Sequence, residues 1–382
     1  MSSLNVEFAG LKLRNPVIVA SSPATETIDG ISKCAKFGAG AVVTKSIADY
    51  QIGSYPEGSR RTYIDSRGFW ATSTFRRETL TLEKGKKLIS RSLQAARIPI
   101  FASVTALDFN PESWYPTCYA LQEAGASLIQ LDLFYLPQPI CSERNRLALA
   151  ELVRHLTHNI KIPVAPKLNI EIPASFVKEM FANTGIAGIF LLDSVRVSPP
   201  LLLERNGLHA YQFVKNPGES SLFGSWQMPL TLHYTYLLSR DISLPLCSGG
   251  GLMNSVDAVE VIMCGATTVQ LATAILLHGY DQIRAIVSGI EEYLNRNRID
   301  DITELRGAAL QHVNKDNKTD FLPVYVELNG SLCTQCGRCL QASFCAALTM
   351  IDGNICISKS QCDGCGLCIQ LCPTGALQAK VA

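Results

Sequence analysis

The chain lacks an excess of charge of either sign, a long apolar run and a dinucleotide-type glycine fingerprint, and each absence removes a class of function. Its 34 lysines and arginines stand against 33 aspartates and glutamates. That balance offers no electrostatic footprint for nucleic acid or for an anionic membrane. No apolar run approaches the roughly 18 residues that read as a membrane span, and Met1 to Ala20 carries no basic leader with a cleavage site. A soluble, cytoplasmic protein is the expectation. No GxGxxG follows a strand pattern, so no Rossmann nicotinamide site is expected.

What the sequence has in quantity is cysteine, 14 in all, with eight of them in two runs near the end. Cys333, Cys336 and Cys339 form one CxxCxxC triplet followed by Cys345, and Cys362, Cys365 and Cys368 form a second followed by Cys372. The second run reads CDGCGLCIQLCP, the bacterial ferredoxin pattern in which three close thiolates hold one iron-sulfur cluster and the fourth ligates the other. Taken crosswise, Cys333, Cys336, Cys339 and Cys372 would hold one cluster, and Cys362, Cys365, Cys368 and Cys345 the second. The first run departs from the pattern, with five residues before Cys345 and Ala346 in place of proline. Structural zinc is the plainer alternative, yet zinc modules usually place their ligands as two separated pairs. Disulfides do not suit cysteines this dense in a reducing compartment. Residues 330–379 resemble two-cluster 4Fe-4S ferredoxins. The remaining six, Cys34, Cys118, Cys141, Cys247, Cys264 and Cys356, read mostly as buried small hydrophobes.

Ahead of that run, an apolar fraction of 47% permits a large core. From Val17 to about Arg298 short β-branched runs alternate with longer helical patterns, the signature of parallel strands with helical crossovers. Eight strands are expected: 17–20, 41–44, 100–104, 128–132, 163–168, 188–193, 244–249 and 268–272. Eight such units predict an α/β TIM barrel over residues 1–300, a linker over 301–329 and a small α+β ferredoxin-like domain over 330–382. The stretch NVEFAGLKLRNP reads as a hairpin closing the barrel floor, and ITELRGAALQ as one more helix. In such barrels chemistry sits at the carboxyl ends of the strands, and phosphate is held after strands seven and eight. Strand seven ends in Ser248, Gly249, Gly250 and Gly251, where missing side chains let backbone amides approach an anion. Strand eight ends in Ala272 and Thr273, before another helix start.

The segments AGLKLRNPVIVASSPAT, VVTKSIADY, ASV, VAPKLN, LCSGGG and GATTVQLATAIL, in this order, resemble the dihydroorotate and dihydropyrimidine dehydrogenase flavoprotein group. The resemblance covers residues 4–297 and implies an FMN barrel. It places Ala20 and Ser21 beside the flavin ring, Lys45 and Ser46 at ring and ribityl, and Lys167 beneath the pyrimidine edge. Gly224, Gly249, Gly250, Ala272 and Thr273 would cradle the phosphate, and Ser103, Asp132, Asp193, Ser194 and Ser248 complete the expected cofactor set. A lysine at the pyrimidine edge has a physical reason, because a reduced flavin carries negative charge near N1 and O2.

The resemblance breaks where the group moves its proton. Its NxSCP-type segment is QLDLFYLPQP here, with Asp132 for asparagine, Phe134 and Tyr135 for serine and cysteine, and Leu136 inserted before Pro137. Asp193 replaces a second asparagine, and the asparagine-bearing motif after strand two has become SRGFWATSTF. Asparagine offers donor and acceptor together whereas an ionised aspartate only accepts, so the pocket suits a substrate rich in N–H or O–H groups, or a cationic one. Tyr135 is one candidate general acid, a protonated Asp132 its rival, and Cys141 a third from a nearby loop. Lys167 completes the expected catalytic set. Long connections at 64–77 and 195–226 stand where lids and specificity reside. Arg60, Arg61, Arg67, Arg76 and Arg77 crowd the first, as an anion site or as a solvated loop.

The expected function is an FMN and iron-sulfur oxidoreductase with two 4Fe-4S clusters, acting on an activated C=C or C=N bond rather than on plain dihydroorotate or uracil. A ferredoxin or an NAD(P)H-linked flavoprotein subunit would supply electrons, and a homo-oligomer or hetero-oligomer is the expected assembly. The alternatives are an electron-transfer subunit without substrate chemistry, a dihydropyrimidine dehydrogenase-type pyrimidine reductase, and a phosphate-binding lyase or isomerase.

Overall fold

The computed structural model describes residues 2–49, 62–64, 71–74, 79–136, 142–192, 194–211, 220–312 and 322–381. Two compact units divide the chain, residues 1–313 and 314–382. The first contains eight parallel strands: β1 (Val17–Val19), β2 (Ala41–Val43), β3 (Ile100–Val104), β4 (Leu128–Asp132), β5 (Val164–Lys167), β6 (Ile189–Phe190), β7 (Leu246–Gly249) and β8 (Thr268–Leu271). Each pairs with its successor, and β8 pairs with β1, so the sheet closes into the expected TIM barrel. Every residue of the eight strands is buried. This is why they read as unbroken apolar runs: a parallel barrel wrapped in helices covers both faces of its sheet. The wrapping helices start at side-chain caps, such as Asn110 for Pro111–Glu123 and the Asn254 and Asp257 capping box for Ser255–Met263.

The barrel floor is filled from outside the strands. Val6–Phe8 and Leu11–Leu13 form an antiparallel hairpin that inserts Phe8, fully buried, against Phe190 at 5.2 Å and Phe101 at 6.4 Å between ring centroids. A Cβ on Gly188 would sit 3.1 Å from the Phe8 ring, so the strand beside the plug is kept bare. At the opposite end, segments from the two long connections pair into an antiparallel sheet. Its order is Val195–Val197, Ser220–Phe223, Ala71–Thr74, Thr62–Ile64, with Phe223 in register with Ala71. Residues far apart in the chain thus build one roof.

The expected linker is shorter than 301–329. Ile302 is buried in the barrel core and its amide donates to the Ser3 carbonyl, while Val324–Leu328 is a strand of the second unit. The expected extra helix is two 3-10 turns, Ile302–Glu304 and Ala308–His312, separated by Gly307 at φ +76°, a left-handed residue that stops a helix. In the second unit Val324–Leu328 pairs with Leu377–Val381, and Leu348–Ile351 pairs with Asn354–Ile357. Its aliphatic core is Val326, Leu348, Ile355 and Leu377, packed with Cys339 and Cys368.

Candidate functional site

A cavity of about 510 Å³ opens at the carboxyl ends of the barrel strands. Its volume lies within the range of small-molecule and cofactor sites. Ala20 and Ser21 follow β1, Lys45 and Ser46 follow β2, Asp132 ends β4 and Lys167 ends β5, and all six line it. Asp132 and Lys167 are register partners on adjacent strands, so their side chains share a rung. Both are buried, at 5% and 6% exposure, which is unusual for charged residues and requires polar company.

That company is a chain of hydroxyls. Ser46 Oγ donates to Asp132 Oδ2 at 2.6 Å, Ser103 Oγ donates to Ser46 Oγ at 3.3 Å, and Ser21 Oγ lies 3.4 Å from Ser46 Oγ. The Phe134 amide donates to Asp132 Oδ1 at 3.1 Å, capping the 3-10 turn Leu133–Tyr135 that replaces a continuing strand. Tyr135 lines the cavity, 7% exposed, with its ring edge-on to Phe134 at 5.9 Å. Arg196, from the roof sheet, donates to the Phe134 carbonyl, lies 4.7 Å over the Phe134 ring and stands 3.8 Å from Glu171. The turn bearing Asp132 and Tyr135 is therefore held from above as well as from below.

The far wall is glycine. Gly250 and Gly251 have φ +103° and +90°, and an added Cβ would fall 2.6 Å from Gln227 Nε2 and 2.5 Å from the Met228 amide nitrogen respectively. Only glycine fits this left-handed turn, which leaves bare backbone beside Ala272 and Thr273 in the cavity wall. Such a turn fits the anionic end of a flavin nucleotide. The roof contributes Ile64, Ser194, Ser221 and Phe223.

The second unit gathers its eight cysteines into two groups. The Cys339 thiol is pushed up by burial and by the neighbouring charges of Cys333, Cys336 and Cys372. The Cys368 thiol is pushed up by burial and by Cys345, Cys362 and Cys365. Each group thus draws one cysteine from across the fold. Cys372 is pulled down to about 7, first by the Thr374 hydroxyl 3.6 Å from its sulfur and then by backbone amides. Cys336 is lowered by the Arg338 amide and the Thr334 hydroxyl. Thiolates are the ligating form, so donors aimed at sulfur fit a metal-sulfur group. Among the described residues no three His, Cys, Asp or Glu side chains converge on a single ion. A four-iron cluster takes each cysteine on a different iron and needs no such convergence.

The dihydroorotate dehydrogenase family profile matches residues 140–294, and the 4Fe-4S binding domain profile matches residues 355–378. The catalytic subunit of dihydroorotate dehydrogenase B (NAD(+)) from Thermoplasma volcanium is 25% identical, across 81% of this chain and 100% of its own. The NAD-dependent dihydropyrimidine dehydrogenase subunit PreA of Escherichia coli K12 is 22% identical, across 98% of this chain and 95% of its own. The chain is a flavin-dependent oxidoreductase, similar over its barrel to the dihydroorotate dehydrogenases and over its second unit to 4Fe-4S binding domains.

Within the dihydroorotate dehydrogenase-like barrel, four residues expected at the cofactor do not line the cavity. Ser103 is fully buried beneath Ser46. Ser248 faces the surrounding helices, where Thr235 Oγ1 donates to it at 2.9 Å, because alternation along β7 turns it outward. Gly249 lies under the Gln270 side chain, whose Cγ would be 2.2 Å from an added Cβ. Gly224 backs the glycine turn, its carbonyl oxygen 3.1 Å from a Cβ on Gly251. Asp193, Cys141, Arg60, Arg61, Arg67, Arg76 and Arg77 lie outside the described residues. Sequence reasoning missed Gln227 and Gln270, which line the cavity. Gln270 had a signal, as a lone amide within the apolar strand TVQLA. Gln227 had none.

Proposed function

We propose that the barrel binds FMN in this cavity, that the second unit holds two 4Fe-4S clusters, and that the protein reduces an activated C=C or C=N bond. Electrons would come from a ferredoxin or an NAD(P)H-linked flavoprotein subunit. Bound FMN would supply hydride transfer and the step between one-electron and two-electron chemistry. Lys167 would counter the charge that reduction places on the pyrimidine edge, while Lys45, Ser46, Ala20 and Ser21 hold ring and ribityl. Gly250, Ala272 and Thr273, backed by Gly224 and Gly249, would receive the phosphate. The clusters would be held by Cys333, Cys336, Cys339 and Cys372, and by Cys345, Cys362, Cys365 and Cys368.

The single observation that carries the substrate reading is Asp132, a buried carboxylate bonded to Ser46 in the cavity wall. It presents acceptors to a ligand where an asparagine would also present a donor, so orotate is disfavoured and a neutral or cationic N–H-bearing compound is favoured. Full-length coverage by the PreA relative favours a second reading, pyrimidine reduction. Against it stands the loss of the segment's cysteine, with Phe134 and Tyr135 in its place.

The test is a purified full-length sample with flavin and iron assayed, then challenged in its dithionite-reduced form with uracil, orotate and a panel of neutral and cationic unsaturated amides. One FMN, about eight irons for two four-iron clusters, and reoxidation by members of the panel alone are expected. Reoxidation by uracil or orotate in preference to the panel rejects the substrate reading, and absence of flavin rejects the cofactor reading.

A further inference from the structure

The chemistry that sets this cavity apart is a carboxyl group wired to hydroxyls. We propose that Asp132 is a redox-linked proton store, taking up a proton when the flavin is reduced and delivering it to the substrate. The inference rests on the flavin reading of the cavity.

Reduction adds negative charge to a bound flavin, and a like charge beside a buried carboxylate drives it toward its neutral form. Asp132 is placed to feel that charge, being the rung partner of Lys167, one strand spacing away at about 4.8 Å. Ser46, at the end of β2, donates to it, and Lys45 beside Ser46 and Lys167 of β5 line the same cavity. Ser103 and Thr105 of the β3 edge offer hydroxyls, the latter donating to the Asp132 carbonyl at 2.9 Å. Tyr135 follows on its own segment, and Arg196 reaches that segment through the Phe134 carbonyl with Glu171 beside its guanidinium.

The hydroxyl chain accommodates both protonation states. With Asp132 ionised, Ser46 Oγ donates to Oδ2 at 2.6 Å. With Asp132 protonated, the carboxyl O–H donates to Ser46 Oγ, and Ser46 turns its own proton toward Ser21 at 3.4 Å. A hydroxyl donates once and accepts twice, so no atom is orphaned by the reversal. Ser21 lines the cavity, which gives the proton a way in. An asparagine at this position has no titratable proton to store. The balance closes on two electrons and two protons: one proton accompanies the hydride that the substrate's double bond receives at one carbon, and the other passes from the Asp132 carboxyl group to the second atom of the bond, after which Ser46 Oγ donates again to the carboxylate. The bond order falls by one, the flavin is reoxidised, and the aspartate is left ionised.

The experiment is reduced-minus-oxidised infrared difference spectroscopy on the full-length, flavin-loaded protein with dithionite as reductant, in H₂O and D₂O. A protonated-carboxyl band appears on reduction, shifts in D₂O, and is missing in Asp132→Asn. A pH indicator reads about one proton fewer taken up by that variant per reduced chain. Ser46→Ala is the second variant; it keeps the band and moves its frequency, because the carboxyl has lost its partner. No band in the wild type, a band surviving in Asp132→Asn, or an unmoved band in Ser46→Ala overturns the proposal. A protein that takes up no flavin overturns both this and the cofactor reading, whereas flavin uptake without the band overturns this alone.

Discussion

The barrel and the cysteine-rich unit solve the problem of holding a redox group in opposite ways. The barrel surrounds its cavity with a large core in which all eight strands are buried and a phenylalanine plugs the floor. The second unit buries four large aliphatic side chains across residues 322–381 and packs Cys339 and Cys368 among them. A core this small supplies only a few kcal/mol, and small units commonly draw the rest of their stability from a metal or disulfides. Removing the cofactor should therefore leave one region standing and dismantle the other.

The largest expected effect tests that contrast directly. Stripping iron from the full-length protein with an oxidant and a chelator should unfold residues 322–381 entirely while the barrel keeps its melting transition. All three tryptophans, at positions 70, 114 and 226, belong to the first unit, so their emission reports the barrel alone. A parallel loss of tryptophan signal would break the comparison.

Next in size, Phe8→Ala should destabilise the barrel by about 3–5 kcal/mol, since it empties the site packed against Phe101 and Phe190. Denaturant unfolding followed by tryptophan should record the loss, and iron content should stay at the wild-type level. If cluster content falls with it, the two units are not energetically separate.

Smaller again is Lys167→Ala. A charge-assisted contact contributes about 1.5–3 kcal/mol, so FMN retention should weaken by roughly 10-fold to 100-fold. Equilibrium dialysis measures it, and unchanged FMN affinity would remove Lys167 from the site. Iron should again be unaffected, because Lys167 sits in the barrel cavity.

The same contrast separates what was legible in the sequence from what was not. All eight barrel strands could be read because burial on both faces writes itself as unbroken apolar runs such as IFASV and LIQLD. The end-of-strand positions of Lys45, Ser46, Asp132 and Lys167 followed from the strand positions, and the structure gathers them in one cavity. The roof was not legible, because Ala71–Thr74 pairs with Ser220–Phe223 across some 150 residues of chain with no local signal for the pairing. Nor was the outward turn of Ser248, which depends on the pleat of a four-residue strand. Nor were the ends of the linker, for a related reason: Ile302 and Val324 look like connecting residues until their partners, Ser3 and Val381, are in place.

The smallest effect is expected at Tyr135, and its size is what makes it informative. Tyr135 and Asp132 both line the cavity, but the hydroxyl chain through Ser46 runs to Asp132. The phenol of Tyr135 sits on a turn whose position is fixed by the Phe134 backbone, with Arg196 above and Asp132 below. Tyr135→Phe keeps the ring, its 5.9 Å edge contact with Phe134 and the turn, and removes one hydroxyl. If Asp132 supplies the proton, turnover with an accepted unsaturated amide should fall by no more than about threefold, within what one neutral hydrogen bond contributes. If Tyr135 is the general acid, the fall should reach the roughly 100-fold or more typical of losing proton transfer. Its solvent isotope effect should then change as well. A large loss in Tyr135→Phe together with full activity in Asp132→Asn would reverse the assignment, and would mean that the hydroxyl chain stabilises the turn without carrying a proton.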